Sequence, residues 1–264
     1  MIPADLLRRV PGCEDGRPPL VTQPLAGGRG CNAVWRIETS RGRFVLRLRG
    51  DPVDRPGSLS RNELLAHRLA AQAGVAPPLI DAASDGRWLL MDYIAEPWTA
   101  SWLQSAWGLA ALGSRLRLLH AIESPEGGER LDPARIAQGY AELALARDAA
   151  LAPAVEQGLR AVAAASGEMA GISRGVALSH GDLQAANLLG PSPMLVDWEY
   201  SQWADRTWDL ACLLEYYPRL QSHSEAVLEA CGMGSPEDRQ ILSRQQALFA
   251  GLNGLWRLSQ AGAG

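Results

Sequence analysis

The 264-residue sequence contains no lysine, so all 25 of its basic residues are arginines. Its four cysteines lie far apart and include no C-x-x-C pair, so their spacing predicts neither a zinc site nor a disulfide framework. No stretch reaches the roughly 18 consecutive apolar residues that a transmembrane helix needs. We therefore expect a protein without membrane insertion, in which arginine must take every role that lysine usually shares.

The charge balance is slightly acidic, with 29 acidic residues against 25 basic ones and a net charge of −4. Because nucleic-acid-binding surfaces are usually basic, we expect no nucleic-acid partner. Residues 1–9 carry early charges and no long apolar segment, which predicts no signal peptide and a cytoplasmic location. Apolar residues make up 47% of the sequence, enough for one large domain or two lobes. Composition does not predict the oligomeric state.

The first third of the chain has the pattern of a small sheet with one helix. Segment 20–50 is rich in strand-forming residues and predicts a hairpin with its tight turn at Arg41-Gly42. Helical spacing follows over Asn62–Ala73. Two further strands are predicted at Val75–Ile80 and Trp88–Tyr93. This order of elements predicts a β-rich N-terminal lobe.

From Thr99 onward the pattern is mainly helical, rich in alanine and leucine with amphipathic spacing. Short strands are predicted within 176–198. The proline of Glu96-Pro97 interrupts the strand pattern, so we expect an α+β fold with domains at 1–95 and 96–264. The predicted helices span Trp102–His120, Pro133–Ala149, Ala152–Ala170, Trp208–Tyr217, Ser224–Cys231 and Pro236–Leu258.

Three side chains suited to proton and metal chemistry lie close together in the sequence. His180-Gly181-Asp182 is followed by Asn187, and Asp197 closes the apolar stretch Met194-Leu195-Val196. Phosphoryl transfer uses such a set, because an acid accepts a hydroxyl proton while an amide and a carboxylate hold Mg²⁺ on a triphosphate. Asp182 is therefore the candidate catalytic base, and Asn187 and Asp197 are the candidate metal ligands. The alternative is a buried turn in which these side chains only satisfy backbone groups.

Protein kinases have H-R-D-x-x-x-x-N and D-F-G in such places, whereas this chain has H-G-D-x-x-x-x-N at 180–187 and D-W-E at 197–199. Together with Asp205–Ala211, these motifs resemble the choline kinase and aminoglycoside phosphotransferase-like superfamily, whose members phosphorylate small molecules. The resemblance implies a two-lobed protein-kinase-like fold, ATP and Mg²⁺ as cofactors, and a small-molecule alcohol as acceptor. It also implies that Asp209 supports the catalytic loop through backbone hydrogen bonds. We expect a structural role for His180.

Arg47 lies where the resemblance places the phosphate-binding basic residue, and its partner would be Glu63. Arg49 shares the same strand face two residues later, so an error in register would exchange the two arginines. The alternative for Arg47 is a solvated side chain on an edge strand. A glycine-rich stretch before the hairpin would cover the phosphates with its backbone N–H groups. That stretch consists of Gly27, Gly28, Arg29 and Gly30.

The segment Leu89–Ile94 is interpreted as the hinge between the lobes. By resemblance, backbone groups of Asp92 and Ile94 would hydrogen-bond adenine, while Met91 would line the pocket. A plain buried strand would have the same residues, but the position between the two predicted lobes favours the hinge.

The aromatic content indicates the chemistry of the acceptor. Choline and thiamine carry a permanent positive charge, which binds well over aromatic faces, so we expect a cationic alcohol such as thiamine or choline. Core packing is the alternative for any single tryptophan. Glu215, Tyr216 and Tyr217 are further candidates for the substrate pocket. Several of the nine tryptophans fall in the predicted C-terminal lobe, among them Trp102, Trp107, Trp198, Trp203, Trp208 and Trp256.

Two other functions stay open. An aminoglycoside or amino-sugar phosphotransferase usually has a densely acidic C-terminal lobe, which this chain lacks. A non-catalytic nucleotide-binding scaffold would need no base, yet Asp182, Asn187 and Asp197 occur together. After residue 212 the acids are Glu215, Glu225, Glu229, Glu237 and Asp238.

Overall fold

The computed structural model of the protein describes residues 2–25, 32–50, 60–124, 130–169, 172–173 and 175–260. The strands are β1 (Val21–Pro24), β2 (Ala33–Thr39), β3 (Gly42–Leu48), β4 (Leu79–Ala82), β5 (Trp88–Asp92), β6 (Val176–Ser179), β7 (Leu188–Leu189), β8 (Met194–Leu195) and β9 (Gln202–Asp205). The helices are α1 (Ala4–Leu7), α2 (Ser60–Gln72), α3 (Ala100–Leu103), α4 (Ala106–His120), α5 (Pro133–Arg147), α6 (Ala152–Glu168), α7 (Trp208–Tyr216), α8 (Ser224–Ala230) and α9 (Pro236–Gln260).

The N-terminal strands form one five-stranded antiparallel sheet in the order β1-β2-β3-β5-β4. Along β3, Phe44 and Leu46 are buried in a small hydrophobic cluster, so Arg47 lies on the opposite face. Thr39 pairs with Gly42, which leaves Ser40 and Arg41 as the hairpin turn. The turn therefore begins one residue before the predicted position. Because β3 is paired on both sides, its register is well defined.

Helix α2 begins at Ser60 and is closed at its C-terminal end by Gly74, which has a φ of +70°. Val75 then donates its N–H to Ala70 O at 2.8 Å, so this residue belongs to the helix end. Pro77-Pro78 follows and has no N–H groups to offer a sheet. For this reason β4 begins at Leu79, four residues later than the sequence pattern predicts.

The chain after residue 99 is mainly helical, as predicted. The predicted helix Trp102–His120 is divided into α3 and α4, because Ser105 is extended and accepts a hydrogen bond from Gly108 N at 3.0 Å. Where α4 meets α8, a Cβ atom on Gly113 would lie 2.3 Å from Ala230 O, so this close crossing requires glycine. The helices enclose the main hydrophobic core. Within the described ranges, no helix is long and apolar enough to cross a membrane.

Two short antiparallel pairs hold the motif region, β6 with β9 and β7 with β8. Strand β9 is absent from the sequence-based prediction, because its pairing partner is distant in the sequence. The loop between β6 and β7 contains Asp182 and ends in a 3₁₀ turn, Ala185–Asn187. The β7–β8 hairpin leads directly to Asp197. These pairs therefore bring the two halves of the motif to one place.

Candidate active site

The loop from His180 to Asn187 holds the carboxylate of Asp182 in a defined position. Asp182 is only 8% exposed. Its Oδ1 accepts a hydrogen bond from Gln184 Nε2 at 2.9 Å, and its Oδ2 accepts one from Asn187 Nδ2 at 2.8 Å. Both carboxylate oxygens are thus oriented by neighbours within the same loop. Gln184 is a contact that sequence reasoning missed.

Gly181 is required by the path of this loop. Its φ is +75°, and a Cβ atom added there would lie 2.6 Å from Tyr200 O. A side chain would be strained by the backbone conformation and would also clash with a carbonyl oxygen. The glycine of the H-G-D motif therefore brings the loop against the segment after Asp197.

Asp209, on α7, accepts hydrogen bonds from the backbone of the same loop. Its Oδ2 accepts the N–H of His180 at 3.2 Å, and its Oδ1 accepts the N–H of Gly181 at 2.9 Å. His120 Nε2 lies 2.9 Å from Oδ2, and the carboxylate is fully buried. A buried carboxylate is stable only when its oxygens are satisfied, so these contacts belong together. His120, at the end of α4, is a second residue that the sequence analysis did not single out.

The β7–β8 hairpin brings Asn187 beside the residues that precede Asp197. Leu188 pairs with Leu195, and Val196 N donates to Asn187 O at 3.0 Å. Asn187 donates from its amide nitrogen to Asp182, so these bonds do not involve its side-chain oxygen. Oxygen is the ligand atom that Mg²⁺ prefers.

Asp197 has a left-handed backbone, with φ +67° and ψ +66°. Aspartate tolerates this conformation better than most residues. Its Oδ1 is buried and accepts no hydrogen bond from the residues that the structure describes. Arg47 Nη2 lies 3.1 Å from the same oxygen as an ion pair without hydrogen-bond alignment.

Arg47 connects the N-terminal sheet to this hairpin. Its Nη1 contacts Glu63 Oε1, while its Nη2 reaches Asp197. Arg49 lies on the same strand face, and its Nη1 is 3.5 Å from Glu63 Oε2. The side chains of Arg47, Arg49 and Glu63 are 11%, 12% and 4% exposed, so the ion pairs are largely removed from water. Arg47 is the arginine that contacts both acids.

Two histidines complete the surroundings of the ion pairs. His180 Nε2 is 3.0 Å from Val196 O, and its ring packs edge-on against Trp198 at 4.7 Å. His67, one turn after Glu63 on α2, donates from Nε2 to Pro77 O at 2.8 Å. Burial, opposed by the bond to Pro77 O and supported by the charges of Arg47 and His180, lowers the pKa of His67 to about 4. His67 is therefore neutral at physiological pH.

The predicted hinge lies against the β7–β8 hairpin. A Cβ atom on Gly190 would lie 3.0 Å from Ile94 Cγ2, and Gly190 N donates to Glu96 O at 2.9 Å. The N–H of Asp92 already donates to Pro78 O at 3.3 Å, which leaves the carbonyl of Asp92 as the group to offer a ligand. The predicted phosphate loop, Gly27, Gly28, Arg29 and Gly30, lies outside the described residues.

Most of the tryptophans belong to the core. Trp198, Trp203 and Trp208 are at most 5% exposed, so core packing accounts for them. Trp102 and Trp107 are about half exposed but pack against each other, with ring centroids 5.9 Å apart. Beside the Asp182 loop, two tyrosines also offer aromatic rings.

Tyr216 is the last residue of helix α7 and Tyr217 follows it, and both lie beside the loop. Burial, together with the nearby Cys212 and Asp182, raises the pKa of Tyr216. Tyr217 Oη accepts a hydrogen bond from Ala185 N at 2.7 Å. Asp209, Cys212 and Tyr216 follow helical spacing, so an analysis of helix faces could have grouped them with the loop.

Comparison with solved structures relates the whole arrangement to known phosphotransferases. A choline/ethanolamine kinase family protein from Mesorhizobium loti is 24% identical with a TM-score of 0.74, covering 98% of this chain and 85% of that one. Choline kinase LicA from Streptococcus pneumoniae is 17% identical with a TM-score of 0.75, covering 98% and 91%. A spectinomycin phosphotransferase in complex with ADP and spectinomycin is 14% identical with a TM-score of 0.66, covering 98% of both chains. These similarities confirm the predicted two-lobed, protein-kinase-like α+β fold.

The search of curated proteins finds no match to the sequence. The comparison with protein families agrees with the structural ones. The model of the phosphotransferase enzyme family matches residues 21–238, well over half of the chain. The predicted enzyme class, a kinase that transfers a phosphoryl group, is thereby confirmed. The chain belongs to the phosphotransferase enzyme family.

Proposed function

We propose that the protein transfers the γ-phosphate of ATP to a hydroxyl group of a small molecule. The observation that carries this proposal is that Arg47, Asp197, Asn187 and Asp182 are brought together. Arg47 forms an ion pair with Asp197, the adjacent Val196 donates its N–H to Asn187 O, and Asn187 donates to Asp182. This arrangement combines a candidate base, oxygen atoms that can bind a metal, and an arginine that can bind phosphate. Phosphoryl transfer depends mainly on such positioning and on charge stabilisation.

In this proposal Asp182 orients the acceptor hydroxyl and takes up its proton. The hydrogen bonds from Gln184 and Asn187 hold the carboxylate in place before the acceptor arrives. Such preorganisation lowers the cost of reaching the transition state. Tyr216, whose pKa is raised in part by the charge of Asp182, faces the same carboxylate.

Asn187 and Asp197 would hold Mg²⁺. The residues fit this ion, because Asp197 Oδ1 is a buried oxygen without a hydrogen-bond donor among the described residues. The same part of the chain contains no group of three His, Cys, Asp or Glu side chains arranged for a metal. Mg²⁺ suits such a site, since it usually takes one or two protein ligands and completes its shell with phosphate oxygens and water. When bound, the ion would neutralise charge on the phosphates.

Arg47 would contact the phosphates from the N-terminal side, while Glu63 holds its guanidinium group. The planar fork of arginine can bind one phosphate oxygen with each arm, which a lysine ammonium cannot do. We place the nucleotide between lobes at 1–95 and 96–264, with adenine against the backbone of Asp92 and Ile94. The closeness of Ile94 to Gly190 supports this placement, because Gly190 belongs to the turn of the β7–β8 hairpin that precedes Asp197.

For the acceptor we propose a small cationic alcohol such as choline or thiamine. Two of the similar structures are named as choline or ethanolamine kinases. Tyr216 and Tyr217 offer aromatic rings beside the Asp182 loop, and a cation gains stabilisation over such rings. Glu215 is less available, because Asn253 Nδ2 donates to it at 3.0 Å and Arg257 lies 3.5 Å away.

The test is turnover of a substrate panel with Mg-ATP, scored by kcat/KM. The panel contains thiamine, choline, ethanolamine, an amino sugar, spectinomycin and a neutral sugar. A cation over an aromatic ring gains about 0.5–2 kcal/mol, which predicts a two- to thirtyfold preference over a neutral isostere. A neutral sugar that exceeds choline and thiamine by about tenfold would disprove the cationic acceptor. Lack of turnover with every member of a wider alcohol panel, together with no Mg-ATP binding, would disprove the kinase function.

A further inference from the structure

Helix α7 and the residue that follows it present three side chains to the catalytic loop, and these accept hydrogen bonds from alternate backbone N–H groups. Asp209 accepts the N–H of Gly181 at 2.9 Å, and Cys212 Sγ accepts the N–H of Leu183 at 3.3 Å. Tyr217 Oη accepts the N–H of Ala185 at 2.7 Å. The loop has no strand partner of its own over this stretch, so α7 replaces the ladder that a sheet would provide. Each of these N–H groups would otherwise need another acceptor.

Cys212 makes two contacts with the loop. Besides accepting from Leu183, its Sγ lies 3.5 Å from Gly181 O as a donor. Complete burial, together with the charges of Asp182 and Asp209, raises the pKa of the thiol. The S–H proton is therefore retained, which the bond to the carbonyl requires. Thiol hydrogen bonds are weak individually, but both of these lie on the residues that flank Asp182.

Tyr217 holds the other end of the loop. Ala185, its partner, begins the 3₁₀ turn that ends at Asn187. Asn187 Nδ2 in turn donates to both Asp182 O and Asp182 Oδ2, at 3.0 Å and 2.8 Å. A shift of Ala185 would therefore change the distance between the base and its amide partner. Tyr217 itself is fixed at the end of α7 by the bond from its N–H to Leu213 O.

We propose that Tyr217 and Cys212 are positioning residues that hold the loop so that Asp182 and Asn187 keep their relative placement. This inference rests on the proposed function, because it assigns the two side chains a role through Asp182. In this role neither side chain acts on the reacting atoms, since the thiol and the phenol oxygen contact backbone atoms of the loop. The N–H of Ala185 and the N–H of Leu183 are the atoms through which they act.

The experiment combines hydrogen exchange of the loop with steady-state kinetics on the full chain. Tyr217→Phe keeps the aromatic ring and removes only the acceptor oxygen for Ala185 N. Its matched control is Tyr140→Phe, which removes one hydroxyl from a buried tyrosine of α5. Cys212→Ala removes the thiol contacts, and Cys231→Ala is its control, because Cys231 is a buried cysteine of the same core. Cys212→Ser tests rescue by a side chain that can still donate and accept.

We expect Tyr217→Phe to speed exchange of the amides in 183–187 and to lower kcat about tenfold, with the KM for ATP unchanged. Cys212→Ala should give a smaller change of the same kind, and Cys212→Ser should restore part of it. The controls should leave exchange in 183–187 unaltered. Unchanged exchange in Tyr217→Phe, or faster exchange with unchanged kcat, would overturn the inference. If Cys212→Ala does not fold, Tyr217→Phe and Cys212→Ser decide the result.

This outcome is distinct from failure of the proposed function. If Asp182→Asn retained full turnover, Asp182 would not be the base, whatever the exchange data showed. If Asp182→Asn were inactive while Tyr217→Phe had normal exchange and kcat, the proposed function would stand and only the positioning role would fall.

Discussion

The two sides of the candidate site are held together by different forces. The Asp182 loop is fixed by hydrogen bonds that its backbone N–H groups donate to the side chains of Asp209, Cys212 and Tyr217. On the other side, Arg47 is held by ion pairs with Glu63 and Asp197, and Asp197 belongs to a different part of the chain. One side is a network of short-range bonds within a packed region. The other is a bridge of charges between the sheet and the hairpin.

This difference indicates which side can change when a ligand binds. Hydrogen bonds to a buried backbone lose much of their energy with small displacements, so the loop should keep its shape. The bridge from Arg47 to Asp197 lacks hydrogen-bond alignment, and Asp197 is 39% exposed. A triphosphate and a metal could therefore replace this contact at low cost, since each ion would gain a new partner. We therefore expect the Asp182 loop to be the rigid side of the site, and Arg47, Glu63 and Asp197 to be its adaptable side.

The largest effect is expected from Asp182→Asn, which tests the rigid side. The substitution keeps the shape of the side chain and removes the proton acceptor, so kcat should fall by about 10²–10⁴-fold. Nucleotide affinity should stay nearly unchanged, because Asp182 is not a proposed phosphate or metal ligand. Calorimetric titration with Mg-ATP and initial-rate kinetics measure the two quantities separately.

The matched control for this variant is Asp132→Asn. Asp132 caps α5 by accepting Arg135 N at 3.0 Å, and asparagine is an equally good cap. This control should therefore retain both stability and activity. A decrease in kcat of less than about tenfold in Asp182→Asn would contradict its assignment as base.

The next largest effect is expected from Asp197→Asn, on the adaptable side. Asparagine tolerates the left-handed backbone at this position, whereas alanine would add strain there. Loss of the carboxylate charge should weaken Mg-ATP binding by at least about tenfold, equivalent to roughly 1.4 kcal/mol. Binding of ATP in the presence of a chelator should change much less. Equal affinity for Mg-ATP in the variant and the native protein would show that Asp197 holds no metal.

A smaller effect is expected from Arg47→Ala, compared with Arg49→Ala. Arg47 reaches both Glu63 and Asp197, whereas Arg49 is paired, among the residues that the structure describes, with Glu63 at 3.5 Å. The KM for ATP should therefore rise about tenfold or more in Arg47→Ala and change little in Arg49→Ala. Thermal unfolding of both variants serves as the control, because each leaves Glu63 with one arginine. The reverse order of KM values would assign the phosphate contact to Arg49.

The fold could be predicted well because its elements depend on local patterns. Helix α2 follows from the spacing of its apolar residues and from Gly74, and the β2–β3 hairpin follows from its strand formers. The errors are found where a backbone group has a tertiary partner. β4 begins late because Val75 closes the preceding helix, and β9 forms only through its pairing with β6.

The motif residues could be singled out from their spacing, but their surroundings could not. The sequence around α7 does not predict the contact of Tyr217 with Ala185, because that contact depends on how the helix packs against the loop. The tryptophan count alone could not show which of these rings are buried, for a similar reason. Burial decides whether an aromatic ring fills the core or faces a ligand, and the sequence does not contain burial directly. Trp198 and Trp208 are in the core, while two tyrosines reach the loop.

The smallest effect concerns the pH dependence of stability on the adaptable side, where His67 supports α2. Its pKa is lowered from 6.5 to about 4 by burial, so the unfolded chain binds a proton more readily than the folded protein between these values. The contribution of His67 to the free energy of unfolding is therefore fully present above about pH 6.5 and decreases as the pH falls toward 4. Between pH 7 and 5.5 the loss of stability should be about 1 kcal/mol.

In His67→Gln, whose amide can still donate to Pro77 O, this part of the pH dependence should disappear. His223→Gln, at an exposed position, is the matched control and should keep the native slope. Denaturant unfolding at the two pH values gives the comparison directly, and an unaltered slope in His67→Gln would show that His67 does not contribute to it.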